Sequence, residues 1–230
     1  MENTNTTDLI IHKLLERVRV VTLGGIAVIS HGLSRNTHDV DVWAEPLESP
    51  GHWATRLEGI LFPSHSVFPI VIGTWEPVAQ GELESVIARD GVVRVAGLDR
   101  PLDIFRNPNE LDIDEFDDVW DRATPLADGT RLPDVIDILV TKQDTGRDKD
   151  LQDIVFLEAK AEREYLKILP AADAAQAVRM LERFLTPRVV ETAMDHPAEA
   201  VRSLAVRYLR EMADDGNPFA RDILIKRNLS

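Results

Sequence analysis

Two aspartates separated by one residue are the part of this chain best suited to chemistry. Asp39 and Asp41 alternate with Val40 and Val42, and alternate residues of a β-strand point to the same face. The carboxylates would therefore lie side by side while the valines pack inward. Because adjacent carboxylates repel each other, a divalent cation would relieve the conflict, and Mg²⁺ prefers oxygen ligands of this kind. For an acid pair alone, a solvated strand end is the other interpretation.

A glycine pair, Gly24 and Gly25, precedes the acids. Val20 to Leu23 predicts a short strand and Ile26 to His31 a helix, so the pair falls at a strand-to-helix turn. There the backbone could approach a phosphate closely, and a helix N-terminus favours an anion. The helix could then return the chain to a neighbouring strand, with glycines and carboxylates at the same sheet end. A tight turn without a ligand is the alternative.

This segment resembles the nucleotidyltransferase superfamily of the polymerase-beta type, and most closely bacterial proteins of the abortive-infection toxin type, which are toxin–antitoxin-like. The shared pattern is G-G-x-A-x-x-x-H-G-x-x-R-x-T-x-D-x-D. The resemblance implies transfer of a nucleoside monophosphate from a nucleoside triphosphate to a hydroxyl, with Mg²⁺ or Mn²⁺. In the plainest superfamily pattern, a serine hydroxyl stands where this chain has Gly25. The matching residues are Gly24, Gly25, Ala27, His31, Gly32, Arg35, Thr37, Asp39 and Asp41.

The resemblance also implies a third acid on a later strand. Asp103 fits, because Leu102 and Ile104 on either side would face the core. Asp99 is a rival, but it lies in the stretch GLDR, which is typical of a turn. In the family the third acid shares a metal and resembles a general base, so we expect Asp103 to join the acid pair in binding metal and in catalysis.

A second matching stretch runs from Ile138 to Asp153 and implies further phosphate contacts. A lysine on a helix is followed by G-R-x-K-D-x-x-D. Lys142 would contact the triphosphate as a point charge, although helix capping with surface charge is an equal alternative. For Asp150 and Asp153 we favour a structural role. Arg35 could bind a phosphate or pair with the acidic stretch 112–118. The expected nucleotide-binding residues are Gly24, Gly25, Arg35, Thr37, Lys142 and Lys149.

The elements that must position these residues predict an α/β fold, a small mixed sheet flanked by helices and followed by a helical C-terminal part. β-branched or alternating runs predict strands near residues 20–23, 39–43, 67–72, 92–95 and 102–105. From Ala171 onward the pattern is helical and is divided by prolines,. We therefore expect a nucleotidyltransferase-like domain at 1–164 and a helical region at 165–230. His31, His38 and the four tryptophans are interpreted as structural, the tryptophans as core or pocket walls.

Composition narrows the choice of partner. The 230 residues carry 40 acids against 26 bases, a formal net charge of −14, and there is no cysteine. A nucleic-acid partner is therefore disfavoured, because binding needs a basic face. Disulfides and thiolate metal sites are excluded. The start lacks the features of a signal peptide, and no long apolar run predicts a membrane span, so we expect a cytoplasmic protein.

The acceptor is left open between RNA, as the resemblance implies, and a small cationic molecule such as an aminoglycoside, which an acidic surface would attract. A different possibility is a catalytically silent protein that keeps the fold and binds a nucleotide or a partner. The helical tail could then mediate a homo-oligomer or a protein complex.

Overall fold

The computed structural model describes residues 6–62, 67–143 and 147–229, without the side chains of Asp148 and Lys149. By its internal contacts the chain divides into two compact units, Met1–Ile154 and Val155–Ser230. The division falls inside one long helix, Asp148–Ile168. The domain boundary expected after Glu164 lies later in the same helix.

One mixed sheet organises the first unit. Across the sheet the strand order is β3-β4-β5-β2-β1-β7-β6. The strand β2 is parallel to β5 and antiparallel to β1, and β4 is antiparallel to both β3 and β5. The strands are β1 (Val20–Leu23), β2 (Val40–Ala44), β3 (Phe68–Ile70), β4 (Val92–Ala96), β5 (Leu102–Phe105), β6 (Thr124–Pro125) and β7 (Arg131–Leu132).

A single row across the middle of the sheet carries the charged residues that matter for the site. Asp41 on β2 is in register with Leu23 on β1 and with Asp103 on β5. Asp103 is in turn opposite Arg94 on β4. Because residues in register on neighbouring strands point to the same face, the pairing brings Arg94, Asp103 and Asp41 together on that face.

Helices flank the sheet of the first unit and begin where the sequence provides caps. The side chain of Ser49 accepts a hydrogen bond from the His52 amide, and that of Asp134 accepts one from the Ile136 amide,. The helices are α1 (Thr6–Leu15), α2 (Gly24–Ser30), α3 (Pro50–Leu61), α4 (Leu83–Asp90), α5 (Phe116–Arg122) and α6 (Val135–Lys142), followed by α7 (Asp148–Ile168).

The core of the first unit lies between the sheet and α1, α3 and α4. Leu14, Trp53 and Ile104 are almost fully buried in it. All four residues of β1 are buried, as expected for a central strand built of β-branched and leucine side chains. Trp75 differs from the expectation of a core residue: its 65% exposure follows from its place in the turn after β3, where its φ is +64°.

The second unit is helical, as the proline pattern predicts. Its helices after α7 are α8 (Ala174–Arg183), α9 (Pro187–Ala193), α10 (Glu199–Asp214) and α11 (Pro218–Lys226). Thr186 and Asn217 cap α9 and α11, with a proline at the first turn of each,. The predicted fold class, a mixed sheet flanked by helices and followed by a helical part, is confirmed. None of the helices in the described ranges has the length and apolar character that crossing a membrane requires.

Candidate functional site

The site residues expected from the sequence converge on one cavity in the first unit. Its volume is about 220 Å³. The side chain of Lys149, also expected here, lies outside the described part of the structure. Residues that the sequence analysis did not assign also line the cavity, among them Arg94 and Asn109. The expected residues that line it are Gly24, Gly25, Arg35, Thr37, Asp39, Asp41, Asp103 and Lys142.

One side of the cavity holds Asp39, Asp41 and Asp103, here called the carboxylate cluster. Asp41 and Asp103 are in register on parallel strands, so their backbones are about 5 Å apart,. Asp39 lies just before β2, and its Oδ1 accepts a hydrogen bond of 3.0 Å from the Thr37 hydroxyl. Asp103 is only 5% exposed. The cluster therefore concentrates negative charge in a partly buried place, where a cation is favoured.

Arg94 supplies a positive charge to this cluster. Its Nε donates to Asp103 Oδ1 at 2.6 Å, and its Nη2 donates to Asp103 Oδ2. The hydrogen bond to Asp103 raises the pKa of Arg94 even though partial burial lowers it, and the charges of Asp39 and Asp41 raise it further. Arg94 was not among the residues expected from the sequence, although a charged residue within the apolar run VVRVA is a signal that indicates it.

The glycine pair makes room for side chains of the site. Gly24 has a φ of +57°, and a Cβ there would stand 1.8 Å from Oδ2 of Asp41. A Cβ on Gly25 would stand 2.5 Å from the Thr37 hydroxyl oxygen. The sequence analysis assigned these glycines to the close approach of a phosphate. Their contacts give another reason for them, because Asp41 and Thr37 pack directly on this backbone.

The other side of the cavity holds Arg35, Lys142 and Arg147, here called the cationic cluster. Lys142 Nζ lies 3.0 Å from Asp150 Oδ1 and 3.2 Å from Asp153 Oδ2. Arg35 Nη2 lies 2.8 Å from Asp153 Oδ2, and Arg147 Nε lies 2.6 Å from Asp150 Oδ2. Arg35 thus pairs with Asp153 rather than with the acidic stretch 112–118. Asp150 and Asp153 form ion pairs with these three cations.

The cationic cluster carries more positive than negative charge. Three cations share two carboxylates, and both carboxylates are at most 1% exposed. Arg35 Nε and Asp153 Oδ1 are buried without a hydrogen-bond partner among the described residues. A buried donor without a partner costs free energy, so an acceptor group entering beside Arg35 would be favoured.

Other polar residues weighed in the sequence analysis lie elsewhere. Asp99, the rival third acid, accepts hydrogen bonds from the Thr7 amide at 2.8 Å and the Thr6 hydroxyl at 2.7 Å, so it fastens the first turn of α1. His31 Nε2 lies 3.0 Å from the Pro133 carbonyl oxygen, and His38 is exposed. The contact of His31 is consistent with the packing role expected for it, whereas none of these residues lines the cavity.

The acidic stretch 112–118 lines a different cavity. Asp114 and Asp117 face a space of about 790 Å³ together with Glu45. Arg19 crosses it, with its Nη2 2.8 Å from Glu45 Oε1 and 2.5 Å from Asp117 Oδ1. Glu45 follows the end of β2 whereas Asp41 lies near its start, so the two cavities are at opposite ends of this strand.

The carboxylate cluster fits a metal ion in ligand type but not in its present arrangement. Three carboxylates meeting at one cavity are suitable ligands for Mg²⁺ or Mn²⁺. Both oxygens of Asp103 are, however, bound by Arg94. Within the described ranges, no three His, Asp or Glu side chains form a group that could hold a metal ion as they stand.

Comparisons with known proteins identify no family. No family model matches the chain, and no curated protein matches it. Among solved structures, a proposed nucleotidyltransferase from H. pylori matches with a TM-score of 0.35 and 14% identity, over 100% of this chain and 99% of that chain. Nothing about function follows from so distant a likeness.

Proposed function

We propose that this protein transfers a nucleoside monophosphate from a nucleoside triphosphate to an acceptor hydroxyl. The observation that carries the proposal is the meeting of the carboxylate cluster and the cationic cluster at one cavity. Phosphoryl and nucleotidyl transfer need groups of both kinds, because cations must hold the phosphates while carboxylates hold a metal or accept a proton.

The cationic cluster would bind the phosphates. At about 220 Å³ the cavity is smaller than the roughly 300–1,000 Å³ of most ligand pockets, so it would enclose phosphates while the nucleoside lies outside. Lys142 would act as a point charge, and Arg35 would add a second positive charge through its guanidinium. Asp150 and Asp153 would keep these cations in place. Gly24 and Gly25 allow Asp41 and Thr37 to pack directly against the backbone at the edge of the cavity.

The carboxylate cluster would bind the metal and accept the proton of the acceptor hydroxyl. Asp39 and Asp41 would hold Mg²⁺ or Mn²⁺, which would stabilise charge on the attacking and leaving oxygens. The acceptor oxygen would bond to the α-phosphorus, and the bond from that phosphorus to pyrophosphate would break, with the electron pair leaving on pyrophosphate. The acceptor proton would pass to a carboxylate oxygen of Asp103. Thr37 would orient Asp39 through its hydroxyl.

The charge of the chain favours a small cationic acceptor over RNA. The net charge of −14 would repel a polyanion, and RNA binding needs a basic path. An amine-bearing molecule such as an aminoglycoside would instead be attracted to the acidic surface. We extend the proposal to a bacterial, cytoplasmic enzyme of toxin–antitoxin type only through the sequence resemblance.

A second candidate function is a catalytically silent protein that binds a nucleotide. It is favoured by one observation, that Arg94 holds both oxygens of Asp103. If this ion pair is permanent, Asp103 can neither bind a metal nor accept a proton, while the cationic cluster can still bind phosphates. The helical second unit would then serve a partner.

Calorimetric titration of ATP, GTP, CTP and UTP with Mg²⁺ tests the proposed function. Wild-type protein is compared with the double variant Asp39→Asn/Asp41→Asn, and with Asp99→Asn as a matched loss of a carboxylate outside the site. We expect one or more nucleotides to bind in a Mg²⁺-dependent way that only the double variant loses. Pyrophosphate release with a panel of amine-bearing alcohols then tests for transfer.

The outcomes separate the two candidates. Mg²⁺-dependent binding with pyrophosphate release supports the transferase. Binding that is independent of Mg²⁺ and unaffected by the double variant supports the silent nucleotide-binding protein. Failure of folded wild-type protein to bind any of the four nucleotides would contradict both.

A further inference from the structure

Arg94 places a positive charge beside the carboxylate cluster, in a position where a metal ion would otherwise balance the negative charge. It is the cross-strand neighbour of Asp103, and its guanidinium occupies both oxygens of that carboxylate. The pairing is partly buried, with 24% of the Arg94 side chain and 7% of the Asp103 side chain exposed. Parallel hydrogen bonds from guanidinium to carboxylate are among the strongest that side chains form.

We propose that Arg94 is a resident counter-cation of the carboxylate cluster, bound to Asp103, and that a divalent cation must displace it from Asp103 to complete the site. This inference rests on the metal site of the proposed function. It assigns Arg94 a positioning role, in which it holds Asp103 and offsets part of the negative charge of the cluster before metal binds, and thereby lowers the metal affinity.

Arg94 and a metal ion would compete for the same two carboxylate oxygens of Asp103. Asp103 offers two oxygens and Arg94 binds both, so a metal ion could be ligated by Asp103 only if at least one hydrogen bond is lost. A cation entering beside Asp39 and Asp41 would also repel the guanidinium directly, since like charges at short range disfavour each other. Metal binding and the Arg94–Asp103 pair therefore oppose each other.

Trp75 offers a cation–π contact for the Arg94 guanidinium after it leaves Asp103. The Arg94 Cζ lies 5.7 Å from the centre of the Trp75 ring, within the range of a cation–π contact. Trp75 is 65% exposed and lies in the turn after β3, so it does not pack in the core. A guanidinium that leaves Asp103 can thus keep its contact with this ring.

Metal titration without nucleotide tests the competition. Mn²⁺ is titrated into wild type and Arg94→Met, with binding followed by calorimetry and by the electron paramagnetic resonance signal of free Mn²⁺. Arg89→Met is the matched control, because it removes the same charge from an exposed pair with Asp90. We expect Arg94→Met to bind Mn²⁺ about tenfold more tightly, equivalent to about 1.4 kcal/mol, and Arg89→Met to bind like wild type.

The same titration in an Asp103→Asn background separates competition from general electrostatics. If Arg94 acts by occupying Asp103, adding Arg94→Met to Asp103→Asn should bring little further gain. A gain that persists undiminished would show that Arg94 acts only through its charge, and would overturn the proposal.

A measurement on the wild-type protein covers the case in which Arg94→Met does not fold. The ¹⁵N–¹H resonance of Arg94 Nε, assigned by comparison with Arg94→Lys, should shift and broaden as diamagnetic Mg²⁺ is added, because its hydrogen bond to Asp103 is lost. Mg²⁺ binding detected calorimetrically with no change in this resonance would overturn the proposal while leaving the metal site intact. Absence of divalent binding in wild type and in every folded variant would overturn both.

Discussion

The carboxylate cluster and the cationic cluster are held in position by different interactions. The carboxylate cluster is built by strands, and the pairing of β2 with β5 fixes Asp41 beside Asp103 whatever their side chains do. The cationic cluster is built by the end of α6, the start of α7 and the loop before β2, and ion pairs hold it together. One side is positioned by backbone hydrogen bonds, the other by its own charges.

Because the two sides are held in place differently, substitutions on them should differ in whether they change stability or ligand binding. Removing the carboxylate of Asp39 or Asp41 on the strand side leaves the sheet register and the Arg94–Asp103 pair in place, so mainly binding should change. Removing one on the helical side leaves buried cations without partners, so stability should fall first. An Asp→Asn substitution should therefore mainly weaken ligand binding on the strand side and mainly lower the stability on the helical side.

The largest effect should come from Asp153→Asn. Asp153 is fully buried and contacts both Arg35 and Lys142, so its neutralisation leaves two buried cations poorly compensated. We expect a loss of about 3–5 kcal/mol in the free energy of unfolding, as for other broken buried ion pairs. Urea-induced unfolding followed by circular dichroism measures it.

Asp90→Asn is the control for this prediction. It removes a carboxylate from the exposed Arg89–Asp90 pair, where a loss of at most about 1 kcal/mol is expected. If Asp153→Asn costs no more than Asp90→Asn, the cationic cluster is not held by its ion pairs and the comparison fails.

Gly24→Ala should disrupt the carboxylate side through the backbone. The left-handed φ of +57° costs a non-glycine residue about 1–2 kcal/mol, and the new Cβ would occupy the position of the Asp41 carboxylate. We expect a stability loss of that order together with loss of Mn²⁺ and nucleotide binding, measured by unfolding and by calorimetry.

Gly216→Ala separates strain from crowding. Gly216 also has a positive φ, of +94°, but a Cβ there would meet nothing within 4 Å. It should lose stability to a similar extent while binding stays unchanged. Retained Mn²⁺ binding in folded Gly24→Ala would show that Asp41 does not need its present position.

The two sides also differ in how far the sequence could predict them. Period-two alternation in a strand indicated Asp39 and Asp41, because this signal is local. The resemblance implied a third acid, and apolar neighbours then favoured Asp103 over Asp99. Arg94 could not be assigned, since its partner depends on the pairing of β4 with β5. The sharing of Asp153 between Arg35 and Lys142 was equally hidden, because it joins residues 118 positions apart. Trp75 was misjudged because composition does not reveal that a tryptophan lies in a turn.

A smaller effect should follow from Thr37→Val. The Thr37 hydroxyl donates to Asp39 Oδ1 at 3.0 Å, so its loss should free the carboxylate to rotate without changing the charge of the site. We expect Mn²⁺ affinity to fall about tenfold, at the lower end for groups that orient metal ligands. Calorimetry of Thr37→Val and of Thr37→Ser, which keeps the hydroxyl, measures the effect. Equal weakening in both variants would contradict an orienting role.

The smallest effect on binding, and a distinct pH dependence, should come from Asp99→Asn. Asp99 is the carboxylate that competed with Asp103 in the sequence analysis, yet it fastens α1 instead of lining the cavity. Its substitution should leave Mn²⁺ affinity unchanged, whereas Asp103→Asn should weaken it. If Asp99→Asn and Asp103→Asn changed the Mn²⁺ affinity equally in calorimetric titration, the assignment of Asp103 as the third acid would be contradicted.

The hydrogen bond from the Thr6 hydroxyl, with those from Thr7, lowers the pKa of Asp99 from 3.8 to about 2. A carboxylate whose pKa is lowered in the folded protein stabilises it above the unfolded-state pKa, and this contribution disappears as the pH falls through the folded-state value. The difference in melting temperature between wild type and Asp99→Asn should therefore be constant from pH 7 to about 4 and shrink between about 4 and 2. A difference that persists at the lowest pH at which both proteins fold would mean that the charge of Asp99 does not hold α1.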